Sequence, residues 1–346
     1  MAVKQKKLVG IEIGTRNVKM VLVNGKGRIS KYTYIDLPDN IILNGVIESK
    51  TMLTEVLRNA RKSLGTSYRK CALCISSPDI IIRYITLPIM EEKHLISNIK
   101  TEIAGFLPDE PENYVIDFVI ADKIETDEKK QYQVLVYAAP TRVLKEYADC
   151  IKAAGFKLVY LDIMENAYEK LFKMLKIKNL TRTSNFACVY IDNSRVSVSV
   201  YGNNRFFINK IVDNAMSTIC EDISLKTNKT PEQVRKQLFT DDILTYSEEN
   251  VIEKSVLENY IREISNEISR VIDYYRSRNQ DDPIEAVYFT GGFTHIIGIQ
   301  EYIGNILGIP TINTARFLDG MFLDPPKKNN GIDYTNAIAI TLREEA

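Results

Sequence analysis

Residues 8–30, LVGIEIGTRNVKMVLVNGKGRIS, limit the fold of this chain more than any other stretch. An apolar run predicts a buried strand, and the alternating residues after a polar bend predict a second strand. The bend holds Glu12, Gly14 and Thr15, and Lys19 follows on the second strand. Gly14 lets a ligand approach the backbone, and successive N–H groups in such a bend bind anions. Lys19 can reach a phosphate oxygen, although an ordinary hairpin with a glycine bulge is the alternative for this stretch alone.

A second stretch of the chain repeats this plan. Residues 186–211, FACVYIDNSRVSVSVYGNNRFFINKI, predict an apolar strand that ends at Asp192, a short polar bend, and an alternating strand. Glu12 and Asp192 therefore occupy equivalent places 180 residues apart in the sequence. Two related lobes that each offer a bend and a carboxylate predict a ligand held in the cleft between them.

Composition narrows the class of protein. A chain of 346 residues is long enough for two lobes, and 45 basic and 45 acidic residues leave no net charge. This balance argues against broad electrostatic binding to nucleic acid or to anionic lipid. No stretch approaches the ~20 apolar residues that a membrane-spanning helix needs, so we expect no direct membrane insertion.

A glycine pair marks a third candidate motif. Gly291 and Gly292 follow an apolar strand-like run and precede a predicted helix, where a base and its sugar can lie close to bare backbone. A tight strand-to-helix turn is the alternative. The chain contains no Walker A sequence and no G-x-G-x-x-G after a strand, so a nucleotide site here belongs neither to a P-loop nor to a Rossmann fold.

Breaks in the pattern divide the chain into five predicted parts. Proline and glycine clusters separate a small central unit, and a polar joint precedes the second hairpin. The predicted parts are a first lobe core (1–88), a small subdomain (89–163), a linking helix and joint (164–184), a second lobe (185–330), and a C-terminal helix that returns toward the first lobe (331–346).

Three short motifs resemble those of the actin-like ATPase superfamily: IEIGTRNVK, VYIDNSR and YFTGGFT. Longer segments, among them VLVYAAPTRVLKEYADCIKAAGFKLVYLDI, resemble the PilM family of type IV pilus assembly proteins, relatives of the division protein FtsA. The resemblance implies an α/β, two-lobed actin-like (ribonuclease H-like) ATPase fold with an FtsA-type inserted subdomain at 89–163.

The resemblance also implies site residues, with ATP and Mg²⁺ as cofactors. Glu12 and Asp192 are candidates for the catalytic acid and for holding Mg²⁺ through water. The residues implied in nucleotide binding fall into four groups: Gly14, Thr15 and Lys19 in the first phosphate loop, Asp192 and Ser194 in the second, Gly291, Gly292 and Thr294 in the adenosine motif, and Glu232 with Arg235 at the ribose. For Glu232 and Arg235 a solvated helix face is an equal alternative.

Two departures from the superfamily pattern concern hydrolysis. Glu12 stands where most of the superfamily has aspartate, and the second loop lacks its usual glycine, with Ser194 nearest in place. The longer acid displaces the carboxylate, and the shorter loop changes where the γ-phosphate is held. The sequence therefore predicts ATP binding with slow or absent hydrolysis, and it leaves open whether the protein is an enzyme.

The resemblance implies a partner as well. The chain would be a cytoplasmic ATP-binding scaffold of the pilus machinery that grips the cytoplasmic N-terminal tail of PilN, a bitopic membrane protein, and is thereby recruited to the cytoplasmic face of the cell membrane. The expected site is the groove where residues 89–163 join the first lobe. An FtsA-like filament-forming ATPase and a small-molecule kinase of the same superfamily stay open as alternatives, as does self-association.

Overall fold

The computed structural model describes residues 6–43, 45–126, 130–212, 216–245, 248–324 and 333–343. The strands in these ranges are β1 (Leu8–Ile13), β2 (Asn17–Val23), β3 (Ile29–Asp36), β4 (Ile42–Leu43), β5 (Val46–Ile47), β6 (Lys70–Ile75), β7 (Ile81–Pro88), β8 (Tyr114–Glu125), β9 (Lys130–Pro140), β10 (Lys157–Ile163), β11 (Phe186–Ile191), β12 (Val196–Gly202), β13 (Arg205–Val212), β14 (Ala286–Thr290) and β15 (Thr311–Asn313). The helices are α1 (Lys50–Leu64), α2 (Glu92–Ala104), α3 (Thr141–Ala153), α4 (Met164–Ile177), α5 (Met216–Lys226), α6 (Pro231–Thr240), α7 (Val251–Arg278), α8 (Ile299–Leu307) and α9 (Thr335–Ala339).

Two five-stranded sheets of the same plan form the two lobes. The first has the order β10-β6-β1-β2-β3, and the second has the order β15-β14-β11-β12-β13. In each sheet the central strand pairs antiparallel with the next strand of the chain and parallel with a later one. Both predicted hairpins and their repetition in the two halves are thereby confirmed.

The helices α4 and α9 lie between the two sheets. One continuous buried cluster contains Val21 of β2, Phe172 of α4, Tyr288 of β14 and Ile338 of α9. Burial of apolar surface therefore holds the lobes together through these two helices. The second lobe has a separate core on the other face of its sheet, formed by α7 with its neighbours. Within the described ranges, no helix is long and apolar enough to cross a membrane.

The small sheet β7-β9-β8 carries α2 on one face. The strand pairing of this sheet differs from the domain boundaries predicted from the sequence. The strand β7, assigned there to the first lobe, pairs with β9, and β10, assigned there to the subdomain, pairs parallel with β6 in the first lobe's sheet. Sheet pairing thus places the small unit at about 81–140. The expected boundary at 330–331 lies outside the described residues, and the remaining boundaries stay predictions.

Gly10 determines how closely α9 approaches the first sheet. A Cβ atom on this glycine would lie 1.8 Å from the carbonyl oxygen of Ala337 in α9, well inside van der Waals contact. The bare backbone of β1 therefore lets the helix pack directly on the strand, and the side chains of α9 reach the shared core.

We predict that Gly10→Ala lowers the free energy of unfolding by about 1–3 kcal/mol or more, because the added methyl group forces α9 away from β1. Urea unfolding followed by circular dichroism measures the change. Gly25→Ala is the matched control, since a Cβ there meets no atom within 4 Å. Equal stability of the two variants would contradict this account of the packing.

Candidate functional site

The bends of the two hairpins face each other across the space between the lobes. Each bend is closed by one backbone hydrogen bond, from Gly14 N–H to the Asn17 carbonyl at 2.9 Å and from Asp192 N–H to the Arg195 carbonyl at 3.0 Å. A Cβ on Gly14 would lie 3.5 Å from Asp192 Oδ2. The two bends that the sequence singled out are therefore neighbours in the fold.

A buried ion pair lies at the base of the first bend. The antiparallel register of β1 and β2 places Glu12 directly opposite Lys19. Lys19 Nζ donates to Glu12 Oε1 at 3.3 Å, and both side chains are about 5% exposed. The same oxygen accepts from Asn336 Nδ2 at 3.0 Å and from the Tyr190 hydroxyl at 3.4 Å. The pair is therefore held by groups from both lobes and from α9.

Several charged groups act on Glu12 and Lys19. Burial, together with the carboxylates of Asp192 and Asp333, raises the pKa of Glu12, although Lys19 opposes the shift. Burial by itself would lower the pKa of Lys19, but Glu12, Asp192 and Asp333 outweigh it and raise that pKa. Three carboxylates therefore act on one ammonium, and the guanidinium groups of Arg195 and Arg235 lie nearby as well.

Two polar atoms at the first bend are buried without a hydrogen-bond partner in the described structure. They are Glu12 Oε2 and Thr15 Oγ1. Leaving such an atom unsatisfied costs about 1–3 kcal/mol, so their presence needs a reason. Both residues line the same cavity, which is where a ligand would satisfy them.

A chain of hydrogen bonds runs from Glu12 into the second lobe. Asn336 Oδ1 accepts from the Tyr168 hydroxyl at 2.5 Å, and this hydroxyl also lies 2.7 Å from Thr290 Oγ1 at the end of β14. Sequence reasoning missed Tyr168 and Asn336. Neither lies in a recognisable motif, and Asn336 follows Glu12 by 324 residues.

The glycine pair has two different environments. Gly291 has φ of 95°, which favours glycine, and its N–H donates to Asp333 Oδ2 at 2.6 Å. Thr294 is buried and its hydroxyl donates to the Gly291 carbonyl at 2.7 Å. Of these residues, only Gly292 lines either of the two cavities described next. Gly291 and Thr294 therefore hold the strand-to-helix turn in shape but do not line either cavity. Sequence reasoning did not identify Asp333 as a partner of this turn.

Two cavities meet at Asp192. The smaller, of about 210 Å³, is lined by Glu12, Gly14, Thr15, Tyr190, Ser194 and Arg195, among others. The larger, of about 530 Å³, is lined by Arg16, Lys19, Glu232, Arg235 and Gly292, among others. Asp192 lines both. The fold therefore brings together candidates that lie more than 200 residues apart in the sequence.

Arginines connect the walls of the larger cavity. Arg16, in the first bend, forms an ion pair with Glu232 of α6 at 3.2 Å across the space between the lobes. Arg235, one turn further along α6, donates to Asn193 in the second bend. The face of α6 that carries Glu232 and Arg235 is thus directed into the cavity, and Arg16 is a further lining residue that sequence reasoning did not assign.

We predict that Lys19→Met lowers the free energy of unfolding by about 3–5 kcal/mol, because it leaves the Glu12 carboxyl buried without its cation. The double variant Lys19→Met/Glu12→Gln should recover more than half of this loss, and urea unfolding measures both. The exposed pair Lys123–Glu125, at 3.1 Å, supplies the control, since Lys123→Met should cost less than about 1 kcal/mol. A loss of less than about 1 kcal/mol in Lys19→Met as well would contradict the conclusion that Glu12 and Lys19 form a buried ion pair.

Solved structures of known proteins share this fold. A PilM–PilN type IV pilus biogenesis complex aligns over 97% of this chain and 98% of its own, with a TM-score of 0.82 and 18% identity. The ethanolamine utilization protein EutJ from Carboxydothermus hydrogenoformans aligns over 97% and 89%, with a TM-score of 0.58 and 13% identity. MreB 5 of Spiroplasma citri, bound to AMPPNP, aligns over 90% and 93%, with a TM-score of 0.51 and 12% identity.

The paired sheets and these similarities establish an actin-like ATPase fold for the chain. The family model for type IV pilus assembly protein PilM matches residues 10–341, which is nearly the whole sequence. The match includes both hairpins, the small sheet, and the helices that lie between the lobes. The chain therefore belongs to the PilM family, the actin-like proteins of type IV pilus assembly.

Proposed function

We propose that this protein is an ATP-binding scaffold of the pilus machinery that grips the cytoplasmic N-terminal tail of a PilN-type membrane protein. The observation that carries the nucleotide part is the pair of facing bends with unsatisfied Glu12 Oε2 and Thr15 Oγ1 at the junction of two cavities. The solved complex of a PilM with a PilN, which shares this fold at a TM-score of 0.82, supports the partner.

The shape of the site suits a nucleoside triphosphate. The larger cavity offers bare backbone at Gly292 and the polar side chains Glu232 and Arg235, which fit a base and its ribose. The phosphates would then lie between the bends, near the hydroxyl of Thr15, which has no partner in the described structure, and near the ammonium of Lys19, which is paired with Glu12. The relative bound to AMPPNP shows that this fold accommodates such a ligand in another protein.

The side chains also fit Mg²⁺ bound mainly through water. Among the described residues no three Asp, Glu, His or Cys side chains converge on one point. Mg²⁺ commonly keeps several waters and uses one or two carboxylates with substrate phosphates. Glu12 and Asp192, both lining the smaller cavity, would supply those carboxylates, and the cation would offset the repulsion between the carboxylates of Glu12 and Asp192.

We predict that Gly292→Val weakens ATP binding at least tenfold, because its side chain would occupy the space assigned to the base or ribose. Isothermal titration with ATP and Mg²⁺ measures the affinity. Gly320→Val is the matched control, since a Cβ there meets no atom within 4 Å and the residue lines neither cavity. Wild-type affinity in a folded Gly292→Val variant would exclude the proposed placement.

The proposed tail site adjoins the smaller cavity. Besides the bends, this cavity is lined by Ile42, Gly45 and Pro78 of the first lobe and by Tyr147 of α3. The Tyr147 hydroxyl donates to the Gly45 carbonyl at 3.0 Å and joins the two walls. An apolar anchor side chain would enter only at the side of the cavity lined by Ile42, Pro78 and Tyr147, since the bend side is proposed for Mg²⁺ and the phosphates. The rest of an extended tail would lie along the surface outside. Because Asp192 also lines this cavity, nucleotide and tail would influence each other's binding.

We predict that a synthetic peptide of the PilN-type tail binds with micromolar affinity, about −8 kcal/mol. Pro78→Asp should weaken binding at least tenfold, since it places a charge at the exposed mouth of the cavity. Pro283→Asp, at an exposed proline of the second lobe outside the cavity, is the control, and fluorescence anisotropy with and without ATP measures both. Equal peptide affinity of the two variants would contradict the proposed tail site, but it would not bear on the proposed nucleotide site.

A further inference from the structure

Basic residues collect at one edge of the first lobe's sheet. The strands β1, β6 and β10 are parallel and all begin at this edge. The antiparallel β2 ends there, and β3 begins there. The helices α1 and α3 also finish at this edge, because they lead directly into β6 and β10. The opposite edge, where β1 ends, carries Glu12 and the candidate nucleotide site.

Five chain segments meet at this edge: residues 6–11, 24–33, 56–71, 150–158 and 319–324, the last of which is hydrogen-bonded to Arg28 and Ile29. Together they contain twelve basic residues and two acidic ones, Asp319 and Asp324. All twelve are exposed except Arg61, which is half-buried. We call this surface the basic pole, and its members are Lys6, Lys7, Lys26, Arg28, Lys31, Arg58, Arg61, Lys62, Arg69, Lys70, Lys152 and Lys157.

Part of this charge has an evident structural role. Arg58 and Arg61 donate to the carbonyls of Ala153 and Ala154 at the end of α3, and Lys31 donates to that of Gly65 after α1. Basic side chains at helix C-termini stabilise the last carbonyls. Arg28 similarly donates to two carbonyls of the chain near residue 322. These four residues are explained by the fold alone.

The other eight basic residues donate no such hydrogen bond, although Lys62 and Lys152 lie in the last turns of α1 and α3. Lys7 lies over the ring of Tyr68, with its Nζ 4.9 Å from the centroid. Within the part of the chain that the structure describes, none of the eight side chains bonds to a carboxylate or a carbonyl. They are Lys6, Lys7, Lys26, Lys62, Arg69, Lys70, Lys152 and Lys157. Their like charges repel each other, so an anionic partner would relieve a cost that folding alone leaves in place.

The chemistry of the pole favours one class of partner. Among the described residues of its segments Leu323 alone is an exposed large apolar side chain, and lysine makes up most of the charges without a partner. Protein interfaces are depleted in lysine and need an apolar centre, whereas single-stranded nucleic acid needs exposed aromatic rings for stacking. Lysines spread over turns and helix ends suit a plane of negative headgroups.

We infer that the basic pole binds the headgroups of anionic phospholipids on a bilayer surface, without insertion. The inference goes beyond the proposed function, which places the protein near a membrane only through its partner. Because the pole and the cleft lie at opposite edges of one sheet, contact with the bilayer leaves the nucleotide site accessible. Binding here needs neither the tail nor ATP, so its test is independent of both.

Vesicle co-sedimentation of the full chain tests the inference. The wild type should bind phosphatidylcholine vesicles that contain about 40% phosphatidylglycerol, and pure phosphatidylcholine vesicles should not retain it. Raising the salt from about 0.1 M to about 0.5 M should release it, since screening shortens the range of the attraction. Charge reversal of Lys62, Lys70, Lys152 and Lys157 to Glu should lower the partition coefficient about tenfold or more.

The matched control reverses four exposed basic residues elsewhere: Lys100, Arg182, Lys226 and Arg262. It has the same net charge, so its binding should stay within about twofold of the wild type. A second variant changes the same four lysines to Gln, which removes their charge without adding carboxylates that could disturb folding. Unchanged ATP affinity in the Glu and the Gln variants would show that the cleft is intact. Absence of wild-type binding, equal loss in test and control, or binding of single-stranded DNA in preference to anionic vesicles would overturn the inference.

Discussion

The buried pair of Glu12 and Lys19 is the interaction on which the candidate site depends. Removing two charges from water is costly, and a buried pair is tolerated when further hydrogen bonds surround it. Asn336 of α9 and Tyr190 of the second lobe supply those bonds. A charge at the end of β1 can therefore be buried only when both lobes and the intervening helix are in place, which links local chemistry to the arrangement of the whole fold.

The same arrangement links the site to the contact between the lobes. Tyr168 connects Asn336 with Thr290, so one chain of hydrogen bonds crosses from the first sheet through α9 and α4 to the second. The apolar core follows the same route, and Gly10 lets α9 lie directly against β1. A ligand that changes the charge around Glu12 would act on this contact, because the polar chain and the core share their helices.

The two ends of the first sheet's strands differ in charge. Charges of both signs meet at Glu12 and Lys19 where β1 ends, and the basic pole lies where β1 begins, although the whole chain carries no net charge. The parallel strands and the helices that precede β6 and β10 produce this division, since each returns the chain to the same edge. Such a division allows two different surfaces to act without one covering the other.

The sequence by itself determined the two hairpins, their acids Glu12 and Asp192, and the family, because alternation along a strand and the residues of a turn are local properties. It did not reveal that Lys19, expected at a phosphate, also forms a buried ion pair with that acid. Asp333 and Asn336 carry no local signal, and strand pairing rather than sequence spacing placed β10 in the first sheet. The net charge is likewise a property of the sequence, but the distribution of the charges over the folded surface is not. Only the tertiary structure decided which distant groups share a buried site or one exposed pole, because burial and electrostatic interaction depend on distances in space.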